Sequence, residues 1–134
     1  MANRSRRFSV AKFQLQPRMK AAEPGKVDLW HVELERVPLE LRQHLSTRDW
    51  QEAKRIGAAA EREAFLKIRS ATRMILSTYV DCPPDSLEFN HDADGLRLTA
   101  PYSLLRFHLS HSENLLLLAV TFARQIGVDV EYMR

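Results

Sequence analysis

The sequence has almost no cysteine, no long apolar stretch and no internal repeat. Among its 134 residues the single cysteine is Cys82, which excludes a disulfide within the chain and is typical of a reducing compartment. No run of apolar residues approaches the roughly 18 that a membrane-spanning helix requires. These absences predict a soluble, cytoplasmic protein with no membrane partner, and the length suits one small domain with a buried core.

Acidic residues are also missing from the first 20 positions. Six basic residues lie there: Arg4, Arg6, Arg7, Lys12, Arg18 and Lys20. Of the 20 basic residues in the chain, 14 therefore remain elsewhere against 17 acidic ones, so the body has a net charge of −3. Because a nucleic-acid-binding fold carries its basic face in the folded part, this distribution predicts no nucleic-acid partner. We interpret residues 1–26 as a basic, flexible arm; a strand through Phe8 and Val10, or a transit peptide, remains open.

The body begins with one strand and two short helices. Alternating apolar positions predict the strand over 27–34, and Pro38 opens the first helix. Ser46 and Asp49 resemble a capping box at the start of a second helix, which Gly57 ends. This part of the chain therefore has clear local start and stop signals.

The longest predicted helix covers residues 59–80. Its buried stripe is formed by Phe65, Ile68, Thr72, Ile75 or Leu76, and Tyr79. Arg62, Arg69 and Arg73 lie off that stripe, and we expect them on the solvated surface. Short strands joined by a polar turn at 91–95 follow. The order of strand, helices and antiparallel strands predicts an α+β fold, with the long helix packed against an antiparallel sheet.

Two carboxylates lie on one face of a predicted strand at 126–131. Side chains alternate along a strand, so Asp129 and Glu131 point the same way with about 6.6 Å between their stems. Gly127 lies on that face and leaves room for a ligand. Carboxylates bind Mg²⁺, with waters or substrate phosphates completing the shell. The pattern indicates a Mg²⁺–phosphate site, although apolar–acid alternation is also typical of a strand with one solvated face.

A second polar segment lies about twenty residues upstream of the carboxylates. A strand over 107–109 runs into a predicted polar turn that holds Ser110, His111 and Ser112. Hydroxyl and imidazole groups bind phosphate. An apolar strand at 115–122 then leads, through a turn, to the carboxylate strand. This meander of strands predicts that His111 and the carboxylates reach one site.

The segments 107–112 and 126–131 resemble motifs of the surfactin-type 4′-phosphopantetheinyl transferases. A looser match through 61–69 extends the resemblance back to about residue 27, so that 27–134 resembles the N-terminal subdomain of that family. The chain departs from the family pattern at three positions, where arginine, glycine and lysine are replaced by Ala64, Ile68 and Leu96.

The resemblance implies transfer of 4′-phosphopantetheine from coenzyme A to a serine of an acyl or peptidyl carrier protein. In that chemistry Asp129 and Glu131 hold Mg²⁺ and act through it, while Ser110 and His111 contact the phosphates. Arg55 contacts the 3′-phosphate of coenzyme A, a role that competes with simple compensation of a helix dipole.

The resemblance also implies a pseudo-dimer of two α+β halves with the active site between them. This chain corresponds to the first half, and we expect it to be inactive alone and to need a complementary C-terminal half or self-association. Two alternatives remain open: an inactive half-domain, and a non-catalytic binding module that uses the basic arm on an anionic partner.

Overall fold

A computed structural model describes residues 3–8, 27–93 and 95–122 of the chain. Six strands are present in this part: β1 (Asn3–Phe8), β2 (Val27–Glu33), β3 (Phe89–Asp92), β4 (Gly95–Leu98), β5 (Leu105–Ser112) and β6 (Leu115–Phe122). There are two α-helices, α1 (Thr47–Lys54) and α2 (Ala59–Leu76). Two 3₁₀ turns, Leu34–Arg36 and Leu39–His44, precede α1, and a third, Pro84–Ser86, follows α2. The predicted α+β class is confirmed. Among the described residues, no helix is long and apolar enough to cross a membrane.

The strands form two sheets. The larger has the order β1-β2-β6-β5, and the smaller is the antiparallel hairpin of β3 and β4. Strands β2, β6 and β5 are antiparallel, whereas β1 runs parallel to β2. Gly95, where the small hairpin turns back, has a φ of 112° that strains any residue with a side chain.

Asn3–Phe8 pairs along its full length with β2. Over these six residues the structure therefore shows a strand, one of the alternatives left open for the arm. The remainder of the predicted arm and its boundary at residue 26 lie outside the described residues and stay predictions.

The main core lies between α2 and one face of the larger sheet. Ile75 and Leu76 of α2 and Leu116 and Leu118 of β6 are fully buried. The register sets Trp30 of β2 beside Leu118, so the two side chains share the core face. Burying each large apolar side chain contributes roughly 1.5–3 kcal/mol. The buried side chains of α2 and β6 therefore hold α2 against the sheet.

Helix α1 begins at the predicted capping box. The Ser46 hydroxyl accepts from the Asp49 N–H at 3.1 Å, and the Asp49 carboxylate accepts from the Ser46 N–H at 3.0 Å. A small apolar cluster of Leu45, Ala53 and Leu66 packs α1 against α2. The local signal thus places the start of α1 correctly.

Helix α2 ends at Leu76, four residues before the predicted end. Beyond it, the Thr78 N–H bonds to the carbonyl of Ile75, three residues back, as in a 3₁₀ turn. The hydroxyls of Ser77 and Thr78 also donate to carbonyls of the last turn. These side-chain hydrogen bonds compete with helical ones and end the helix early.

Candidate functional site

Ser110 and His111 lie in β5, which continues to Ser112 before the chain reverses at Glu113. The prediction of a polar turn at 110–112 was therefore wrong. Ser110 pairs with Leu117 and His111 with Leu116, so both continue the ladder with β6. Pairing with a distant strand, which a local turn signal does not report, extends β5 to this point.

Adjacent strand residues point to opposite faces of a sheet. The imidazole of His111 therefore lies on the same face as Leu109 and the core, and the hydroxyl of Ser110 lies on the other face. Both residues are exposed. Since β5 is the outer strand of the described sheet, a phosphate that contacts both side chains must lie beside the edge of β5 that faces away from β6.

Arg55, the predicted 3′-phosphate contact, is the C-cap residue of α1 and is exposed. Within the described structure it shares no hydrogen bond or ion pair with Ser110 or His111. The structure thus keeps Ser110 and His111 adjacent but does not bring Arg55 into contact with them.

The predicted metal ligands Asp129 and Glu131 lie outside the described residues, so their roles stay predictions. In the described ranges 3–8, 27–93 and 95–122, no group of three or more histidine, cysteine, aspartate or glutamate side chains could hold a metal ion.

A buried ion cluster, which we call the Asp49 cluster, joins α1 to α2. Its members are Asp49, Arg69 and Arg73, with exposed fractions of 1%, 7% and 2%. Arg69 donates to Asp49 Oδ1 at 2.8 Å, and Arg73 Nε donates to Asp49 Oδ2 at 2.6 Å. The expectation that Arg69 and Arg73 are solvated was wrong, because both guanidinium groups pair with the Asp49 carboxylate of the neighbouring helix.

Arg73 also fixes the chain segment that follows α2. One of its terminal nitrogens donates to the carbonyls of Pro84 and Leu87, at 2.8 and 2.7 Å. The other donates to Ser46 Oγ at 3.1 Å and to Asp49 Oδ1 at 3.2 Å. All five N–H groups of the guanidinium therefore have protein acceptors.

Arg62, the third arginine expected to be solvated, is half-buried. It donates to the carbonyl of Ile56 at 2.8 Å and to that of Gly57 at 3.3 Å. These carbonyls follow the C-terminal end of α1, so Arg62 ties the α1–α2 connection to α2.

Burial by itself would raise the pKa of Asp49. Hydrogen bonds from Arg73 and from the Ser46 N–H, together with the charges of Arg73 and Arg69, outweigh that effect and hold the pKa below its ordinary value of 3.8. Asp49 is therefore ionised at neutral pH, and the cluster is a true ion pair rather than a neutral hydrogen-bonded group.

The Asp49 cluster forms the floor of a cleft of about 460 Å³. The walls are the start of α1, one side of α2, the segment 85–88 and the β3–β4 hairpin, including His91 and Leu96. This volume is within the range of small-molecule sites, roughly 300–1,000 Å³. Sequence reasoning missed the cleft, although an acid in a capping box followed by two arginines four residues apart on the next helix is a usable signal.

A second polar group missed by the sequence lies inside the core. The Trp30 indole N–H donates to the Tyr79 hydroxyl at 2.8 Å, and that hydroxyl donates to Asp28 Oδ2 at 2.7 Å. Asp28 is fully buried. Its hydrogen bond from Tyr79 anchors β2 to the segment after α2.

Two curated proteins are similar in sequence to this chain. It is 34% identical over 115 residues, 81% of its length, to a Nostoc protein named 4′-phosphopantetheinyl transferase HetI. It is 27% identical over 95 residues, 66% of its length, to a Synechocystis protein named putative 4′-phosphopantetheinyl transferase slr0495. Both names support the 4′-phosphopantetheinyl transferase family.

The matched regions cover 48% of the Nostoc protein and 37% of the Synechocystis protein. The chain thus spans about half the length, or less, of the curated relatives it matches. No protein-family model matches the chain, and no solved structure does.

Proposed function

We propose that this chain is the N-terminal half of a surfactin-type 4′-phosphopantetheinyl transferase. The reaction moves 4′-phosphopantetheine from coenzyme A to a serine of an acyl or peptidyl carrier protein. The observation that carries the proposal is the 34% identity to HetI over 115 residues, in a chain that also has the motifs at 107–112 and 126–131.

In this reaction the serine oxygen forms a bond to the phosphorus that bears pantetheine. The bond from that phosphorus to the bridging oxygen of the pyrophosphate breaks, 3′,5′-ADP leaves, and the serine proton passes to a base that we do not assign to this chain. Ser110 and His111 support the proposal because both are exposed on the outer strand β5. Their donors would orient the pyrophosphate beside that edge.

Asp129 and Glu131 supply two carboxylates, the donor type that binds Mg²⁺, and the bound ion would neutralise charge on the pyrophosphate and on the leaving group. Two ligands leave several coordination positions to waters and substrate oxygens. The role of these residues within this chain is therefore to make coenzyme A binding depend on Mg²⁺.

A complementary C-terminal half, or a second copy of the chain, completes the site in this proposal, and the chain alone is inactive. What supports this is that the chain spans about half of HetI. The competing function, a non-catalytic module that binds an anionic partner, predicts no dependence of coenzyme A binding on Mg²⁺.

Calorimetric titration of coenzyme A across a Mg²⁺ series tests the proposal. Asp129→Ala should abolish the Mg²⁺ dependence of binding, and Glu131→Ala should weaken it less, because water can replace one ligand. Glu40→Ala is the matched control, since Glu40 is an exposed carboxylate on a 3₁₀ turn; the buried Asp28 would be unsuitable. Unchanged Mg²⁺ dependence in Asp129→Ala would reject the metal site, and no binding by the unaltered chain would reject the proposed function.

A further inference from the structure

The two residues that join β5 to β6, Glu113 and Asn114, form a hairpin tip that is docked onto the turn after β2. Asn114 accepts two hydrogen bonds of 2.7 Å there: its carbonyl from the Leu34 N–H, and its Oδ1 from the Glu35 N–H. These donors open the 3₁₀ turn Leu34–Arg36, whose own N-cap residue offers no side-chain hydrogen bond. Asn114 therefore caps this turn from 79 residues further along the chain.

The turn that receives Asn114 is fixed in the core. Leu34 and Val37 are buried and belong to the main apolar cluster. The Val37 N–H donates to the Leu34 carbonyl at 3.1 Å and closes the turn. Through its two hydrogen bonds, Asn114 thus joins an exposed hairpin tip to a buried part of the molecule.

The hairpin tip itself has a strained backbone. Ser112 and Leu115 are the last pair of the ladder between β5 and β6, so only two residues make the connection. Glu113 has a φ of 49°, in the left-handed region that disfavours a residue with a Cβ atom. Two-residue hairpin loops usually place glycine, asparagine or aspartate at such positions. The hydrogen bonds of Asn114 therefore offset a conformation that the sequence of the tip opposes.

Ser110 and His111 lie directly before this tip, at the end of β5. Within the described sheet β5 is an outer strand and has a ladder partner on one side only. The two pairs nearest the tip are Ser112 with Leu115 and His111 with Leu116. Strand ends open first when their anchoring contacts are lost, so the position of His111 depends on the docked tip.

Resting on the proposed function, we propose that Asn114 is a positioning residue of the phosphate site. It acts through Ser110 and His111 by holding the end of β5, so that both side chains meet the pyrophosphate of coenzyme A together. Small displacements of such groups weaken their contribution steeply. Only chains with a docked tip bind fully, so the observed affinity falls with the docked fraction.

Calorimetric titration of coenzyme A into the full chain, in the presence of Mg²⁺, tests this role. Asn114→Ala keeps the backbone carbonyl but removes Oδ1, and it should raise the dissociation constant about fivefold, the effect of about one hydrogen bond. Asn114→Asp keeps an acceptor oxygen and should bind within about twofold of the unaltered chain at about 0.15 M salt, which screens the added charge. Glu113→Gly relieves the backbone strain, so Asn114→Ala should cost less affinity in that background.

Arg62→Ala is the control that separates positioning from general stability. It removes hydrogen bonds to the carbonyls after α1 and should leave the dissociation constant unchanged. Exchange of the Glu35 amide hydrogen should become faster in Asn114→Ala and stay unchanged in Arg62→Ala.

An affinity of Asn114→Ala within about twofold of the unaltered chain, or an equal loss in Arg62→Ala, would overturn the positioning role and leave the proposed function standing. Failure of the unaltered chain to bind coenzyme A would instead refute the positioning role and the proposed function together.

Discussion

Replacing Asp49 with alanine should be among the most damaging single changes in the described part of the chain. The carboxylate is 1% exposed, accepts from Arg69 and Arg73, and closes the capping box with Ser46. Its loss leaves the buried Arg73 without its carboxylate partner and leaves the buried Arg69 with Glu52 alone, at 3.4 Å. Breaking a buried ion pair by removing one partner costs about 3–5 kcal/mol, which is a large share of a total stability of about 5–15 kcal/mol.

Urea unfolding followed by circular dichroism measures this cost. With an m-value of roughly 2 kcal/mol/M, the Asp49→Ala midpoint should fall by about 1.5–2.5 M. Glu52→Ala is the matched control: it removes a neighbouring carboxylate of α1 that is partly exposed and 3.4 Å from Arg69. That change should cost less than about 1 kcal/mol. Equal midpoint shifts for the two variants, or a loss below about 1 kcal/mol for Asp49→Ala, would refute the reasoning.

Three further outcomes are expected. The pKa of Asp49 is lower in the folded chain than its ordinary value of 3.8. The stabilisation by its carboxylate is therefore complete above the unfolded pKa and is lost as pH falls through the lower folded pKa, so the urea midpoints of the unaltered chain and of Asp49→Asn should converge in acid. A difference between the two midpoints that stays constant with pH would contradict this. Tyr79→Phe removes the hydrogen bonds to Asp28 and Trp30 and should cost roughly 2 kcal/mol in thermal unfolding. Tyr102→Phe should cost far less, because the Tyr102 hydroxyl has only weak partners, the Asp81 carbonyl at 3.4 Å and the Cys82 thiol. Arg62→Ala should cost about 1 kcal/mol and speed hydrogen exchange at the end of α1, and unchanged exchange there would remove Arg62 from that role.

Local signals in the sequence predict local structure well. The capping box of Ser46 and Asp49 marks the start of α1 because both hydrogen bonds close within four residues. The alternation in 27–34 likewise identifies β2, since Trp30 and Val32 are buried on one face. Both signals can be recognised from residues that are neighbours in the sequence.

The errors arise where a distant partner decides the outcome. Arg69 and Arg73 fall off the apolar stripe, and their burial depends on Asp49, which lies 20 and 24 residues away along the chain. The apolar alternation that predicts a strand stops before Ser110 and His111. Both residues nevertheless belong to β5, because they pair with β6. The metal ligands proposed at Asp129 and Glu131 stay predictions, because they lie outside the described residues.

The hydrogen bonds made by all five N–H groups of Arg73 also determine how the cleft opens. An eight-residue helix such as α1 is too short to persist alone, so it depends on Asp49 docking onto Arg73. The same guanidinium donates to the carbonyls of Pro84 and Leu87. Helix α1 and the segment that contains Pro84 and Leu87 should therefore detach together, in one cooperative opening event. A molecule lodged in the cleft would slow deuterium uptake in both segments together, including amides it never touches.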